Sequence, residues 1–182
     1  MPRLLLLRHA KSSWKHRDLD DFDRPLARRG RNDAALVATR IAAVGLKPQK
    51  ILCSSARRCR ETLAALLPSL EGDVDLRLLR DLYLADEDHT IDQIRAHGGG
   101  AATLMVIGHN PGLEETALAL AGTGRPELIE ALADRYPTGT LAVIDFPAIK
   151  WVDIEPKTGR LVAFLRPNAL DEVEEPEDEE AE

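Results

Sequence analysis

Cysteine is scarce in this 182-residue chain: it has two, Cys53 and Cys59, with no second pair. That excludes a disulfide framework and a multi-cysteine zinc site, and it fits reduced structural thiols in a cytoplasmic protein. Long hydrophobic runs are missing too. The N-terminal Leu4-Leu5-Leu6-Leu7 is stopped after four residues by Arg8 and His9, which is too short for the apolar core of a secretion signal. Nothing approaches the ~20 apolar residues of a membrane span, so no membrane association is expected. Histidines at HxH or HExxH spacing do not occur, and Asp20, Asp21 and Asp23 lack the rest of a calcium loop, so neither a metal nor another cofactor is expected. Gly98-Gly99-Gly100 lacks the lysine and hydroxyl residue of a phosphate-binding P-loop. Internal repeats and interdomain linkers are likewise absent.

An excess of base is not to be found either. The formal net charge is −7, but nine acids and no base fall within residues 171–182. The rest of the chain is therefore nearly neutral and offers no basic footprint for nucleic acid. A run of like charge at a chain end reads as a solvated, disordered extension. The expected organisation is one domain over residues 1–168 followed by an acidic tail over 169–182.

What is present is an alternation of apolar runs and helical patterns. Leu4 to Leu7 reads as a strand covered on both faces. A polar surface loop from Lys11 to Arg24 follows, then helical spacing at Ala34, Val37, Ala38, Ile41 and Val44 before Gly45. Lys50 to Ser54 predicts a strand, Arg58 to Leu67 a helix ended by Pro68, and Val74 to Leu78 a third strand. Beyond an acidic loop, a helix is expected near Thr90 to Ala96, a strand at Thr103 to Ile107, and helices at Leu113 to Ala121 and Pro126 to Ala133. Thr140 to Phe146, Trp151 to Ile154 and Leu161 to Phe164 read as strands, the last two as a hairpin around Pro156-Lys157-Thr158-Gly159. The fold class is α/β: a three-layer α/β/α sandwich around a central, mostly parallel but mixed sheet.

Three segments carry chemistry. Leu7-Arg8-His9-Ala10, Ser54-Ser55-Ala56-Arg57-Arg58 and Gly108-His109-Asn110-Pro111-Gly112 each follow a strand-like run. In open α/β sheets, loops at the carboxyl ends of strands meet in one crevice, where ligands bind. Two histidines and at least two arginines can thus converge on a phosphate. A neutral imidazole attacks phosphorus to form a phosphoramidate. Neighbouring arginines keep that imidazole neutral by like-charge repulsion, and they bind phosphoryl oxygens through paired charge-assisted hydrogen bonds. His16, His89 and His97 fall in polar segments and carry no such pattern.

Taken with Arg24-Pro25-Leu26 through Arg29-Gly30 and with Ser54 through Thr62, these segments resemble the histidine phosphatase superfamily, whose domain would span residues 1–168. Within that superfamily the chain is most similar to the SixA-type phosphohistidine phosphatases, over roughly residues 1 to 166. The resemblance implies a phosphoglycerate mutase-like fold with His9 as nucleophile and Arg8, Arg58 and His109 completing the phosphate pocket. Ser54 would assist through its hydroxyl or backbone. Arg58 is preferred to Arg57 because it lies four residues before Thr62, on one helix face with it. Ala10 stands where the family's commonest motif has glycine, and Ser55 where it usually has proline.

Larger relatives such as the phosphoglycerate mutases carry an acidic proton donor in an inserted segment. Here Asp86, Glu87 and Asp88 are candidates, although an acidic loop is ordinarily just solvated. Phosphate monoesters expel an alkoxide that needs an acid, whereas the P–N bond of phosphohistidine is more labile and needs less help. The resemblance therefore implies removal of phosphate from phosphohistidine on a signalling or phosphotransfer protein. The alternatives are a small-molecule phosphomonoesterase, for which replacing Asp86–Asp88 should slow ester hydrolysis, and a non-catalytic phosphate-binding module. The expected partners are a phosphorylated protein or a small phosphorylated molecule.

Overall fold

In the computed structural model, which describes residues 1–167, a seven-stranded sheet runs in the order β3-β2-β4-β1-β6-β7-β5. The strands are β1 (Arg3–Arg8), β2 (Lys50–Ser54), β3 (Asp75–Leu79), β4 (Thr103–Gly108), β5 (Ala121–Gly124), β6 (Leu141–Asp145) and β7 (Gly159–Leu165). The first four in that spatial order are mutually parallel, β6 runs antiparallel to both β1 and β7, and β5 pairs parallel with β7. The sheet is thus mixed, as its sequence pattern predicts. Five helices cover it: α1 (Arg28–Ala43), α2 (Arg57–Leu66), α3 (Glu87–His97), α4 (Gly112–Leu120) and α5 (Pro126–Asp134).

Strand geometry sends alternate side chains to opposite faces, and the run Leu4–Leu7 feeds both cores. Leu5 and Leu7 pack with Val37, Ala38 and Ile41 of α1 and Leu63 and Leu66 of α2. Leu4 and Leu6 pack with Ile91 and Ile94 of α3, Leu113, Ala117 and Leu120 of α4, and Leu132 of α5. All four leucines are fully buried, which stabilises the fold by about 1.5–3 kcal/mol each. A continuous apolar run, rather than an alternating one, is what a strand between two helical layers requires.

The C-terminal third departs from the expected pattern. Trp151–Asp153 is a 3₁₀ turn, not a strand, and the antiparallel partner of β7 is β6. The cause is the indole of Trp151, which is buried against Gly98 and Phe146 and donates its N–H to Ala101 O at 2.7 Å. A side chain plugged into the core this way cannot alternate along a ladder. The helix expected through Ala121 stops at Leu120, and Ala121–Gly124 forms an edge strand on β7. Gly122 permits this, since a Cβ there would sit 1.9 Å from Lys157 O.

Two expected loops also carry structure. Residues 87–89 belong to the first turn of α3, where Asp86 caps the helix by accepting from the His89 N–H at 2.9 Å. Acids there complement the positive end of the helix dipole. The stretch from Lys11 to Arg24 is pinned by a bridge between Ser12 and Leu26 and holds a 3₁₀ turn at Asp21–Asp23. Arg24 is buried at its end. The expected acidic tail over 169–182 lies outside the described residues.

Gly30 locks that pinned stretch to α1: a Cβ would fall 1.9 Å from Lys11 O, which accepts from the Ala27 N–H at 2.9 Å. Gly30→Ala is expected to destabilise the fold by about 1–3 kcal/mol, the usual cost of overpacking a closed contact. Denaturant unfolding measures this, and an unchanged midpoint would show that the contact relaxes freely.

Candidate active site

Strands β2, β4 and β1 are neighbours and parallel, so their carboxyl ends open side by side. The register pairs Arg8 with Gly108 and Cys53 with Ile107. His9 follows β1, His109 follows β4, and Ser54 ends β2, with Arg58 in the first turn of α2. The His9 and His109 ring centroids lie 5.2 Å apart. Both rings, Arg58 and Ser54 are buried.

The hydrogen bonds assign the tautomers. His9 Nδ1 lies 2.8 Å from Ala10 O; a carbonyl only accepts, so Nδ1 carries the proton. The lone pair then sits on His9 Nε2, where Arg58 Nε–H donates at 3.3 Å. A guanidinium has no acceptor, so His109 Nδ1, 3.3 Å from Arg58 Nη2, is likewise unprotonated. His109 Nε2–H is left to donate to Ser54 Oγ at 2.8 Å. Ser54 thus orients the second imidazole rather than reaching for a ligand.

Burial is the main force on both imidazoles. It takes His9 down to about 3, aided by the charges of Arg58, Arg8 and Arg24 and opposed by the bond to Ala10. It also takes His109 down to about 3, with His9 and Arg58 adding repulsion. Arg8 donates from Nη1 to Tyr136 O at 2.7 Å, while its buried Nε has no protein partner among the described residues.

The residue that sequence reasoning missed is Asp21. Its Oδ2 accepts from Arg58 Nη2 at 3.0 Å and from Tyr83 OH at 2.6 Å, its Oδ1 accepts from Arg24 Nε at 3.0 Å, and its backbone O accepts from Arg58 Nη1 at 2.6 Å. Burial alone would raise this carboxyl, but the bonds from Tyr83, Arg24 and Arg58 outweigh it and take it down to about 2. Arg24 also bonds Ser12 Oγ at 2.8 Å and stacks 3.6 Å over the ring of the exposed Trp14. The only available signal was the density of charge between Lys15 and Arg24, which reads equally well as a solvated loop.

These groups line a cavity of about 550 Å³ that contains Arg8, His9, Lys11, Arg24, Arg58 and His109, with Trp14, Leu84 and Asn110 at its sides. Asp21 is the only carboxylate among the described residues lining it. Asp86, Glu87 and Asp88 do not line it, and Asp86 is engaged with His89 through both backbone and ring. Asn110 donates to Glu114 Oε2 at 2.9 Å and Tyr136 O at 3.1 Å, which fixes the loop after β4. A cavity with four cations, one carboxylate and two neutral imidazoles suits a tetrahedral dianion: arginine forks bind its oxygens, and a bare ring nitrogen lies beside them.

A family model described as the histidine phosphatase superfamily (branch 1) matches residues 4–119. The chain belongs to this superfamily and is a histidine phosphatase with an α/β sandwich fold of the phosphoglycerate mutase-like kind. Among its relatives is an uncharacterized protein of Mycobacterium leprae, 36% identical over 169 residues that span 88% of this chain and 99% of that one. A candidate phosphohistidine phosphatase SixA from Agrobacterium tumefaciens superposes with a TM-score of 0.76 at 33% identity, covering 91% of this chain and 99% of its own. A second, from Nakamurella multipartitia, gives 0.80 at 25% identity, covering 92% and 97%. No helix among the described residues is long and apolar enough to cross a membrane.

Two outcomes follow from this geometry. Both imidazoles are held at about 3 in the folded protein, below the ~6.5 of an unfolded histidine. Between those values the unfolded chain binds protons that the folded chain does not. The stability they contribute is therefore complete above about pH 6.5 and is lost as pH falls towards 3, by ~1.4 kcal/mol per unit for each histidine. In NMR titrations neither ring should change protonation between pH 8 and 5; a midpoint near 6.5 for either would overturn the assignment. Separately, Asp21 opposes an incoming anion at Arg58 and Arg24. Asp21→Asn should tighten inhibition by inorganic phosphate about threefold, the order of a half-exposed charge interaction. Weaker inhibition would mean that organising Arg58 is the larger effect.

Proposed function

We propose that the protein removes phosphate through a covalent intermediate on His9, and that its substrate is phosphohistidine displayed on another protein. The observation that carries the reading is the state of His9. Its Nδ1 is tied to Ala10 O, and its unprotonated Nε2 lies beside the guanidinium of Arg58. Nε2 attacks phosphorus, the new N–P bond forms, and the bond to the leaving nitrogen breaks in line with it. Arg8 and Arg58 hold the phosphoryl oxygens as charge moves through the transition state. A phosphoryl dianion beside His109 offsets the burial and repulsion that hold the ring neutral, so it takes up a proton from solvent and shares it with an oxygen of the bound group. Water then attacks phosphorus from the side that the first leaving group vacated, phosphate departs, and His9 returns to its starting tautomer.

The choice of substrate rests on the acid. Expelling an alkoxide needs a proton donor, and the carboxyl in the cavity is held at about 2 by Tyr83, Arg24 and Arg58. It is ionised at neutral pH and has no proton to give. A leaving imidazole makes a smaller demand. The likeness to the two candidate phosphohistidine phosphatases points the same way. A small-molecule phosphomonoesterase is the second reading, favoured by a cavity of about 550 Å³ in which a small phosphate ester would meet the same nucleophile and arginines.

Phosphate release by the wild type and by His9→Ala, from a phosphohistidine-bearing protein and from p-nitrophenyl phosphate, separates these readings. A strong wild-type preference for the P–N substrate is expected, with loss of all release in His9→Ala. Preference for the ester, still dependent on His9, would move the assignment to the small-molecule reading. Release that survives His9→Ala would remove the covalent step.

A further inference from the structure

A second cavity, of about 380 Å³, adjoins the active site and takes no part in the chemistry above. Lys15, Arg28, Arg31 and Arg57 line it with His16, over a floor that includes Leu26. No carboxylate among the described residues lines it. Glu61 accepts from Arg57 Nε at 2.7 Å and from the Leu26 N–H at 2.7 Å, and it lines the adjoining groove, which shares Leu26, Arg31 and Arg57 with the cavity. Arg31 is fixed by donating to Leu26 O at 2.9 Å. The two cavities share a wall: Ser12, Trp14 and Arg24 face the active site, while Ser13, Lys15 and Pro25 face the basic cavity.

The topology brings a complementary charge to this place. Leu165 of β7 is opposite Leu141 of β6, which is opposite Leu7 of β1, so β7 ends at the active-site end of the sheet. Pro167 lies against Gly139, whose N–H donates to the carbonyls of both Arg8 and His9. A Cβ built at Gly139 would lie 2.8 Å from Pro167 Cγ and 3.9 Å from Cβ of Asp33 in α1. Arg28 is five residues before Asp33, which is ~7.5 Å along the helix axis. The four residues from 168 to 171 reach about 13 Å when extended. The twelve residues that begin with Asp171 and end with Glu182 carry nine acids and no base.

We infer that the basic cavity beside the active site is a docking site for an acidic peptide segment, and that its occupant is this chain's own residues 171–182. Tethering at Pro167 makes the encounter intramolecular, with an effective concentration in the millimolar range. Attraction between exposed charges of this kind is screened by salt. A docked tail places negative charge on the wall shared with the active site, where it opposes the approach of an anionic protein surface.

The test uses the full-length chain with a nitroxide attached at Asp178→Cys. Burial pushes the thiols of Cys53 and Cys59 upward, to about 12 for Cys59, so the label goes to residue 178. At low ionic strength the amide signals of residues 27–31 and 57–60 should lose intensity selectively. They should recover in about 0.5 M salt, where the screening length falls to a few Å, and in the Arg28→Gln/Arg31→Gln variant of the same labelled chain. Spectra of that variant without the nitroxide check that it is folded. Loss centred on residues 8–11 and 109 rather than on 27–31 would put the tail in the active cavity and overturn the proposal. Loss spread evenly over the surface would overturn it as well. So would loss that appears only on mixing labelled with isotope-enriched copies, since the occupant would then be another molecule. The readout needs no turnover, so its failure is distinct from failure of the phosphatase reading.

Discussion

The bonds of the Arg58 guanidinium hold the site together. Buried in the first turn of α2, it donates to His9 Nε2, to His109 Nδ1 and to both the backbone and the carboxylate of Asp21. Because a guanidinium only donates, each partner is obliged to present a lone pair to it. That constraint agrees with the tautomers of two histidines, adds to the burial that keeps both rings neutral, and draws the 3₁₀ turn at Asp21–Asp23 over the carboxyl ends of the strands.

The neighbouring contacts act through the same group. Tyr83, from the segment after β3, bonds Asp21 and lies edge-on to both Phe22 and His109. Arg24 holds the other oxygen of Asp21 and is itself held by Ser12 and stacked on Trp14. The cavity is therefore a charge network under one shell of aromatic contacts. Its anion site is already balanced in part by a carboxylate of the chain itself. A phosphoryl group entering it shares Arg58 and Arg24 with that carboxylate, which opposes entry while holding the two guanidiniums in place.

Charge also organises the molecule on a larger scale. The nine acids of residues 171–182 dominate the formal charge, while the rest of the chain is nearly neutral. Within that near-neutral part, eight of the 24 lysines and arginines line the active cavity and its basic neighbour, whereas Asp86, Glu87 and Asp88 sit at the start of α3 and do not line the active cavity. Asp86 illustrates how a local role can stand in for a chemical one. Acids before a helix serve its N-terminus, and the same residues in sequence look like proton donors.

Much of this was legible in the chain itself. Leu4–Leu7 declared a doubly covered strand by its unbroken apolarity, and the strand-end positions of His9, Ser54, Arg58 and His109 told that they could meet. Those features are set by short-range pattern, because a strand buried on both faces and a loop at its end need only local sequence. What stayed hidden depends on contacts made across the chain. Trp151 gave no sign that it would leave a strand to fill a hole beside Gly98, and Ala121–Gly124 has little intrinsic tendency to be a strand until β7 offers an edge. Asp21 looked like one of several solvated acids. Only folding, by carrying it onto Arg58 thirty-seven positions away, selected it from its neighbours, since the energy of that pairing resides in burial and geometry that no local stretch of sequence contains.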